Sequence, residues 1–95
     1  MYLEADGRYT HIYLNNGMSK VAVKNLGEIE KKLDPQKFCR VHHKYLINVS
    51  YLESIYKSDG LYCEMSTKVN VPISKRKYED LNRFLNIGNL IKLIK

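Results

Sequence analysis

Basic side chains occur in three clusters, each at a predicted turn or at the end of a predicted element. The clusters are Arg8; then Arg40, His42, His43 and Lys44; then Lys75, Arg76 and Lys77. An arginine fork can donate to the O6 and N7 atoms of one guanine, whereas lysine suits phosphate as a point charge. Long side chains on loops can also reach into a groove. The clusters therefore predict contact with nucleic acid, and a solvated positive face is the alternative for each cluster alone.

Patterns that are typical of catalysis or metal binding are missing from the sequence. It contains no glycine-rich phosphate loop and no nucleophile elbow, and Ser74 has no apparent histidine and acid partners. A metal site built from His11, His42 and His43 lacks supporting cysteine or carboxylate spacing. Cys39 and Cys63 show no metal or redox spacing, which predicts two reduced, buried thiols. We therefore expect no enzyme, no cofactor and no metal.

Length and charge narrow the class of protein. The 95 residues correspond to one domain, residues 1–95, and the formal net charge of +6 favours a polyanionic partner. No run of about eighteen apolar residues is present, so no membrane segment is predicted. The first residues carry charge where a signal peptide needs an apolar segment. The expected location is the cytoplasm.

Alternating β-branched and aromatic residues between turn signals predict a series of short strands. The first three cover residues 2–5, 9–14 and 19–23, with turns at Asp6-Gly7 and Asn15-Asn16-Gly17. Residues 38–49 predict two short strands around a basic bend. A hairpin over residues 52–56 and 61–65 turns at Ser58-Asp59-Gly60, and a last strand over residues 68–71 ends at Pro72.

Capping residues predict the helices. Asn25, with Glu28 three residues later, predicts a helix start, and Asp34-Pro35 ends that helix. Ser74 predicts the start of a second helix, whose free N–H groups suit a phosphate. The tail, residues 86–95, has apolar residues at helical spacing. The total of seven or eight strands and two or three short helices predicts a mainly β fold of small antiparallel sheets.

Four segments, in order along the chain, resemble the LytTR DNA-binding domain. Residues 2–10 (YLEADGRYT) are similar to its opening signature, and residues 25–33 (NLGEIEKKL) resemble its short helix. Residues 38–48 (FCRVHHKYLIN) are similar to its central F-x-R-V-H-x-x-Y-x-x-N motif, and residues 71–76 (VPISKR) to its closing x-P-x-S-x-R motif. The resemblance covers about residues 2–85, which leaves residues 86–95 as a C-terminal helical tail.

The resemblance implies an elongated β-β-β arrangement of small antiparallel sheets, in which loops read DNA. At the matching positions it assigns base-edge contact to Arg8, His43 and Arg76. Phosphate contact is expected from Lys44, Lys75, Lys77 and Arg40. The family often has a basic residue or asparagine followed by serine where this chain has His43-Lys44, which alters the expected base preference. The resemblance also implies an upstream strand and a receiver domain, which are expected to lie outside this chain.

Single residues in the central motif have more specific expectations. His42 is expected to be structural, with its ring hydrogen-bonded to the backbone or a neighbour. His43 is expected to point the opposite way if the segment is extended, because side chains alternate along a strand. Arg40 either contacts phosphate or forms an ion pair, for which the acidic candidates are Glu28, Glu30 and Asp34.

The expected function is sequence-specific binding of double-stranded DNA by the output domain of a bacterial two-component response regulator. Family members act in pairs on repeated half-sites, so a homodimer on DNA is expected. One alternative is a single-stranded nucleic-acid module that stacks bases on its tyrosines. However, Tyr9, Tyr13 and Tyr45 are expected to be core or half-core residues. The other alternative is a basic domain that binds an acidic protein or surface.

Overall fold

The computed structural model describes residues 1–87, and these form eight strands, two α-helices and one 3-10 turn. The strands are β1 (Tyr2–Asp6), β2 (Tyr9–Tyr13), β3 (Ser19–Ala22), β4 (Phe38–His42), β5 (Tyr45–Asn48), β6 (Leu52–Lys57), β7 (Leu61–Met65) and β8 (Asn70–Ile73). The helices are α1 (Leu26–Glu30) and α2 (Lys75–Ile87). Apart from the end of α2, the predicted tail lies outside the described residues.

Five strands form one antiparallel sheet in the order β3-β2-β1-β5-β4. The central strand β1 pairs with β2 along its whole length, from Tyr2 opposite Tyr13 to Asp6 opposite Tyr9. The β1–β2 turn contains Gly7 at φ +61°, a conformation that costs little without a side chain. Because β1 also pairs antiparallel with β5, the β1–β2 turn lies at the end of the sheet where β5 begins.

Helix α1 covers one face of this sheet. It begins as predicted at Asn25, whose side chain accepts a hydrogen bond from the Glu28 backbone N–H at 2.9 Å. Leu26 is buried against Leu3 and Leu46, which anchors the helix to β1 and β5. The predicted end at Asp34-Pro35 was wrong, because α1 ends at Glu30 and the next residues form a turn, in which Lys32 and Leu33 donate to carbonyls three residues earlier. The Glu30 side chain contacts Arg40 of strand β4.

The other three strands form a second antiparallel sheet in the order β6-β7-β8. The predicted last strand over residues 68–71 was wrong at both ends, because β8 runs from Asn70 to Ile73. Lys68 has φ 72° and donates its backbone N–H to Met65, so it belongs to the preceding turn. Pro72 lies inside β8, since an edge strand needs to donate hydrogen bonds on one side only.

The main core contains buried residues from β4 to β8 and from α2. Val41, Ile47, Met65, Leu81 and Leu85 are each 0% exposed there. The predicted burial of the two cysteines is confirmed, and both are free thiols. Burial raises the pKa of Cys39 to about 11 and that of Cys63 to about 12.

The predicted fold class is confirmed by these elements. The described part of the chain is mainly β, with two antiparallel sheets and short helices. Its extents are 35 × 24 × 24 Å, so it is longer in one direction than in the other two. No helix within residues 1–87 is long and apolar enough to cross a membrane.

Candidate nucleic-acid interface

Two of the basic turns lie at the same end of the five-stranded sheet. Strand β1 ends at Asp6 and its antiparallel neighbour β5 begins at Tyr45, so the β1–β2 and β4–β5 turns are adjacent. The Ala5 backbone N–H donates to the Lys44 carbonyl at 2.7 Å, which extends this pairing into the β4–β5 turn. Arg8 is therefore presented beside the turn that carries His43 and Lys44.

The third basic cluster is joined to the second by a backbone hydrogen bond. The Ser74 N–H donates to the Val41 carbonyl at 2.9 Å, which places the first turn of α2 beside the end of β4. His43, Ser74, Arg76 and Lys77 line one open cleft as a result. The structure thus brings residues from the central motif and the closing motif to a shared surface.

The start of α2 has the capping geometry that the sequence predicted. The Ser74 hydroxyl accepts a hydrogen bond from the Lys77 backbone N–H at 3.2 Å. Lys75 and Arg76 are exposed on the first turn, whereas Lys77 is half-buried. The positive end of the helix and these cations attract an anion to the same place.

The two histidines of the central motif lie together, which corrects the expectation that they point in opposite directions. Their ring centroids are 4.6 Å apart and the rings are stacked. The reason is that β4 ends at His42, so His43 lies in a turn where strand alternation no longer applies. His43 is exposed on this turn.

His42 has the structural role that was expected. Its Nδ1 accepts a hydrogen bond from the Lys44 backbone N–H at 3.1 Å. Burial, followed by the charges of His43, Lys44 and Arg40, lowers the pKa of His42 below 6.5. An Nδ1 that accepts this hydrogen bond belongs to a neutral ring whose proton is on Nε2.

Arg40 forms the ion pair that was one of its two expected roles, and its partner is Glu30. Its Nη1 lies 2.7 Å from Glu30 Oε1, and the Arg40 side chain is only 20% exposed. The remaining guanidinium nitrogens bind backbone, since Nε donates to the His42 carbonyl at 2.9 Å and Nη2 donates to the His43 carbonyl. All three nitrogens of the guanidinium are thus engaged within the domain.

Acidic side chains also lie near the basic turns. Asp6 forms an exposed pair with His11, with Oδ2 and Nε2 3.0 Å apart. Glu4 accepts hydrogen bonds from the hydroxyls of Tyr13 and Tyr45, at 3.2 and 3.0 Å. Glu4, Asp6, His11 and Tyr13 line one cleft together with Lys44. This end of the sheet therefore carries acidic as well as basic side chains.

One basic turn residue was not singled out from the sequence. Lys57 ends β6 opposite Leu61, and Leu61 pairs with Ile73 at the end of β8. The β6–β7 turn therefore lies at the same end of its sheet as the start of α2, and Lys57 is exposed there. The sequence shows a lysine next to the Ser58-Asp59-Gly60 turn signal, but it does not show which end of the molecule this turn occupies.

Metal-binding groups give no competing site. Within residues 1–87, no three histidine, cysteine, aspartate or glutamate side chains lie close enough to hold a metal ion. His11 lies in β2, whereas His42 ends β4 and His43 follows it in the β4–β5 turn.

Comparisons with known proteins agree with this geometry. The sequence model of the LytTr DNA-binding domain matches residues 1–86. The chain is 33% identical over 90 residues to the CO-responsive transcriptional regulator RcoM of Rhodospirillum rubrum. This alignment covers 92% of the present chain and 38% of RcoM. The fold is also similar to that of the LytTr DNA-binding domain of a putative methyl-accepting/DNA response regulator from Bacillus cereus. The TM-score is 0.81 and the sequence identity 25%, and the match covers 90% of this chain and 79% of that one. The chain belongs to the LytTR family of DNA-binding domains.

Proposed function

We propose that this domain binds double-stranded DNA in a sequence-specific way and acts as the DNA-binding part of a transcription regulator. The observation that carries the proposal is the arrangement of the basic loops at one end of the molecule. The Ala5 to Lys44 and Ser74 to Val41 backbone hydrogen bonds hold the turns together. A duplex presents grooves and phosphates across a width that separate loops can contact at once.

Base contacts are assigned to the exposed residues at the tips of these loops. Arg76 and Arg8 each present a guanidinium fork, which suits the O6 and N7 atoms of guanine. His43 adds a ring nitrogen whose role as donor or acceptor depends on its tautomer. Arg76 and His43 line one cleft, so they would read base pairs close to each other.

Phosphate contacts are assigned to lysines around the same end. Lys44, Lys75 and Lys77 were expected from the sequence, and Lys57 joins them because of its place in the β6–β7 turn. Arg40 is left out of this set because its guanidinium is already engaged. Four phosphate contacts correspond to a slope of about −3 to −4 when log K is plotted against log salt.

Tyr9 was expected to be a core or half-core residue, which was wrong, because it is 43% exposed at the start of β2. Tyr13 and Tyr45, however, give little support to the single-strand alternative. Tyr13 and Tyr45 donate their hydroxyls to Glu4, and Tyr13 stacks on Tyr2 with ring centroids 4.6 Å apart. These rings are half-buried and engaged, whereas base stacking needs accessible ring faces. A duplex contacted by loops is therefore favoured over a single strand stacked on aromatic residues.

We assign the domain to a longer regulator in the cytoplasm, where it has access to DNA. The chain spans 38% of the length of the curated relative RcoM, whose name describes a CO-responsive regulator. A regulatory domain, such as the receiver of a response regulator, would supply the signal. Two copies on repeated half-sites would extend the contact area and raise the affinity.

The test is selection from a random duplex library, followed by binding of the selected duplex and a scrambled duplex at several salt concentrations. We expect a short recovered motif that binds at least about a hundredfold more tightly than scrambled DNA. A single strand of the selected sequence serves as a control and should bind weakly. Salt-sensitive binding without a recovered motif would refute sequence-specific recognition by this domain, and an acidic protein ligand would then be the better candidate.

A further inference from the structure

Arg40 links the turn that carries His43 to helix α1. Its Nε and Nη2 donate to the carbonyls of two consecutive residues, His42 and His43, while Nη1 binds Glu30. Hydrogen bonds from a charged guanidinium are about twice as strong as those between neutral groups. The guanidinium therefore fixes the backbone of the β4–β5 turn from the inside of the domain.

The backbone next to Arg40 contains a β-bulge. Arg40 lies opposite Leu46 and His42 lies opposite Tyr45, so Val41 has no partner on β5. A bulge takes a residue out of the strand ladder and redirects its backbone groups. The Val41 carbonyl is used instead by the Ser74 N–H at the start of α2. Three consecutive carbonyls, those of Val41, His42 and His43, thus hold both the β4–β5 turn and the start of α2.

The charge of Arg40 is largely compensated where it lies. Glu30 Oε1 is 2.7 Å from Nη1, and the Arg40 side chain is 20% exposed. A phosphate contact would require this side chain to leave its ion pair and both carbonyls. These groups would then lose their hydrogen bonds, which is costly where they are partly buried.

We propose that Arg40 and Glu30 form a positioning pair that sets the placement of His43 relative to Arg76, without touching DNA themselves. The inference rests on the proposed function, because it concerns how the base-reading surface is held. In this proposal, Glu30 contributes to sequence discrimination although its helix, α1, carries none of the proposed DNA contacts. The competing role for Arg40 is a direct phosphate contact.

The two roles predict opposite effects for the removal of Glu30. A phosphate-binding Arg40 would be released by Glu30→Ala, and DNA of every sequence would bind more tightly. A positioning Arg40 would lose its anchor, and only the selected duplex would bind more weakly. Glu28→Ala is the matched control, because Glu28 lies on the same helix and its removal changes the net charge equally.

The experiment measures binding of the wild type and four variants, Glu30→Ala, Glu28→Ala, Arg40→Ala and Arg40→Lys, to the selected and scrambled duplexes over a range of salt. We expect Arg40→Ala and Arg40→Lys to lower the affinity for the selected duplex about tenfold. Lysine does not restore the affinity because it lacks the fork that reaches both carbonyls and Glu30. Glu30→Ala should lower the affinity for the selected duplex about threefold to tenfold. Glu28→Ala should leave the discrimination between the selected and scrambled duplexes unchanged. The salt slope and scrambled-DNA affinity should stay as in the wild type.

A second measurement follows the turn in the free protein. Amide hydrogen exchange at Lys44, whose N–H binds His42, should accelerate in Glu30→Ala and not in Glu28→Ala. Equal losses on both duplexes together with a shallower salt slope for Arg40→Ala would establish phosphate contact and overturn the proposal. Unchanged discrimination in Glu30→Ala would also overturn it, even if Arg40→Ala fails to fold. A wild-type domain that does not discriminate between the duplexes would instead refute the proposed function, a result distinct from either outcome.

Discussion

Replacement of Arg76 by alanine separates base reading from charge attraction. Arg76 is exposed on the first turn of α2, and within the described residues its side chain takes part in no hydrogen bond or ion pair of the domain. The substitution should therefore leave the fold unchanged. Loss of a bidentate contact to a base costs about 1–3 kcal/mol, which corresponds to about a fivefold to 150-fold weaker complex with the selected duplex.

Lys75→Ala is the matched control for this substitution. Lys75 precedes Arg76 on the same helical turn and is also exposed, so both variants remove one positive charge from nearly the same place. Lys75→Ala should weaken the selected and scrambled duplexes equally and reduce the salt slope by about 0.9. Arg76→Ala should weaken the selected duplex by a larger factor than the scrambled one.

Fluorescence anisotropy with labelled duplexes gives the affinities, and single-base variants of the selected site show where discrimination is lost. We expect Arg76→Ala to become indifferent to one base pair and to keep its preference at the others. If Arg76→Ala and Lys75→Ala instead gave the same losses on both duplexes, Arg76 would be a phosphate contact, and the assignment of base reading to the helix start would be refuted.

Three further predictions concern stability and reactivity. Burial and neighbouring charges lower the pKa of His42, so this histidine binds a proton more readily in the unfolded chain than in the folded domain. The melting temperature should therefore fall as the pH drops below about 6.5, the usual pKa of histidine. The His42→Asn variant should lose less stability over the same pH range. Leu81 is 0% exposed, so Leu81→Ala should lower the free energy of unfolding by about 2–5 kcal/mol, measured by chemical denaturation. A smaller decrease would mean that the surrounding core residues fill the space that the leucine leaves. Cys39 and Cys63, with pKa values raised to about 11 and about 12, should react with a thiol reagent only on unfolding, and fast labelling of the native protein would contradict their burial.

Local features of this protein followed from its sequence. Asn25 and Ser74 were identifiable as helix starts because a capping side chain acts on a backbone group only three residues away. The turn at Gly7 and the hairpin around Gly60 were also predictable, because glycine adopts positive φ at little cost. The order of the four motifs then indicated the family, and with it the loops that were expected to contact DNA.

Other features depended on pairing between distant parts of the chain. Pro72 ends a strand in isolation but is tolerated inside β8, because β8 lies at the edge of its sheet. The charges near Arg40 offered three acidic partners, and only the packing of α1 beside β4 selected Glu30. The stacking of His42 on His43 followed from where β4 ends, which neighbouring residues did not reveal.

The sequence by itself determined which residues are chemically suited to a nucleic acid and which local elements carry them. The tertiary structure decided that these residues share one end of the molecule. That outcome rests on the antiparallel register of β1 with β5 and on the bond from Ser74 to Val41. Such contacts join residues far apart in the chain, and their strength comes from burial of the common core rather than from any local preference.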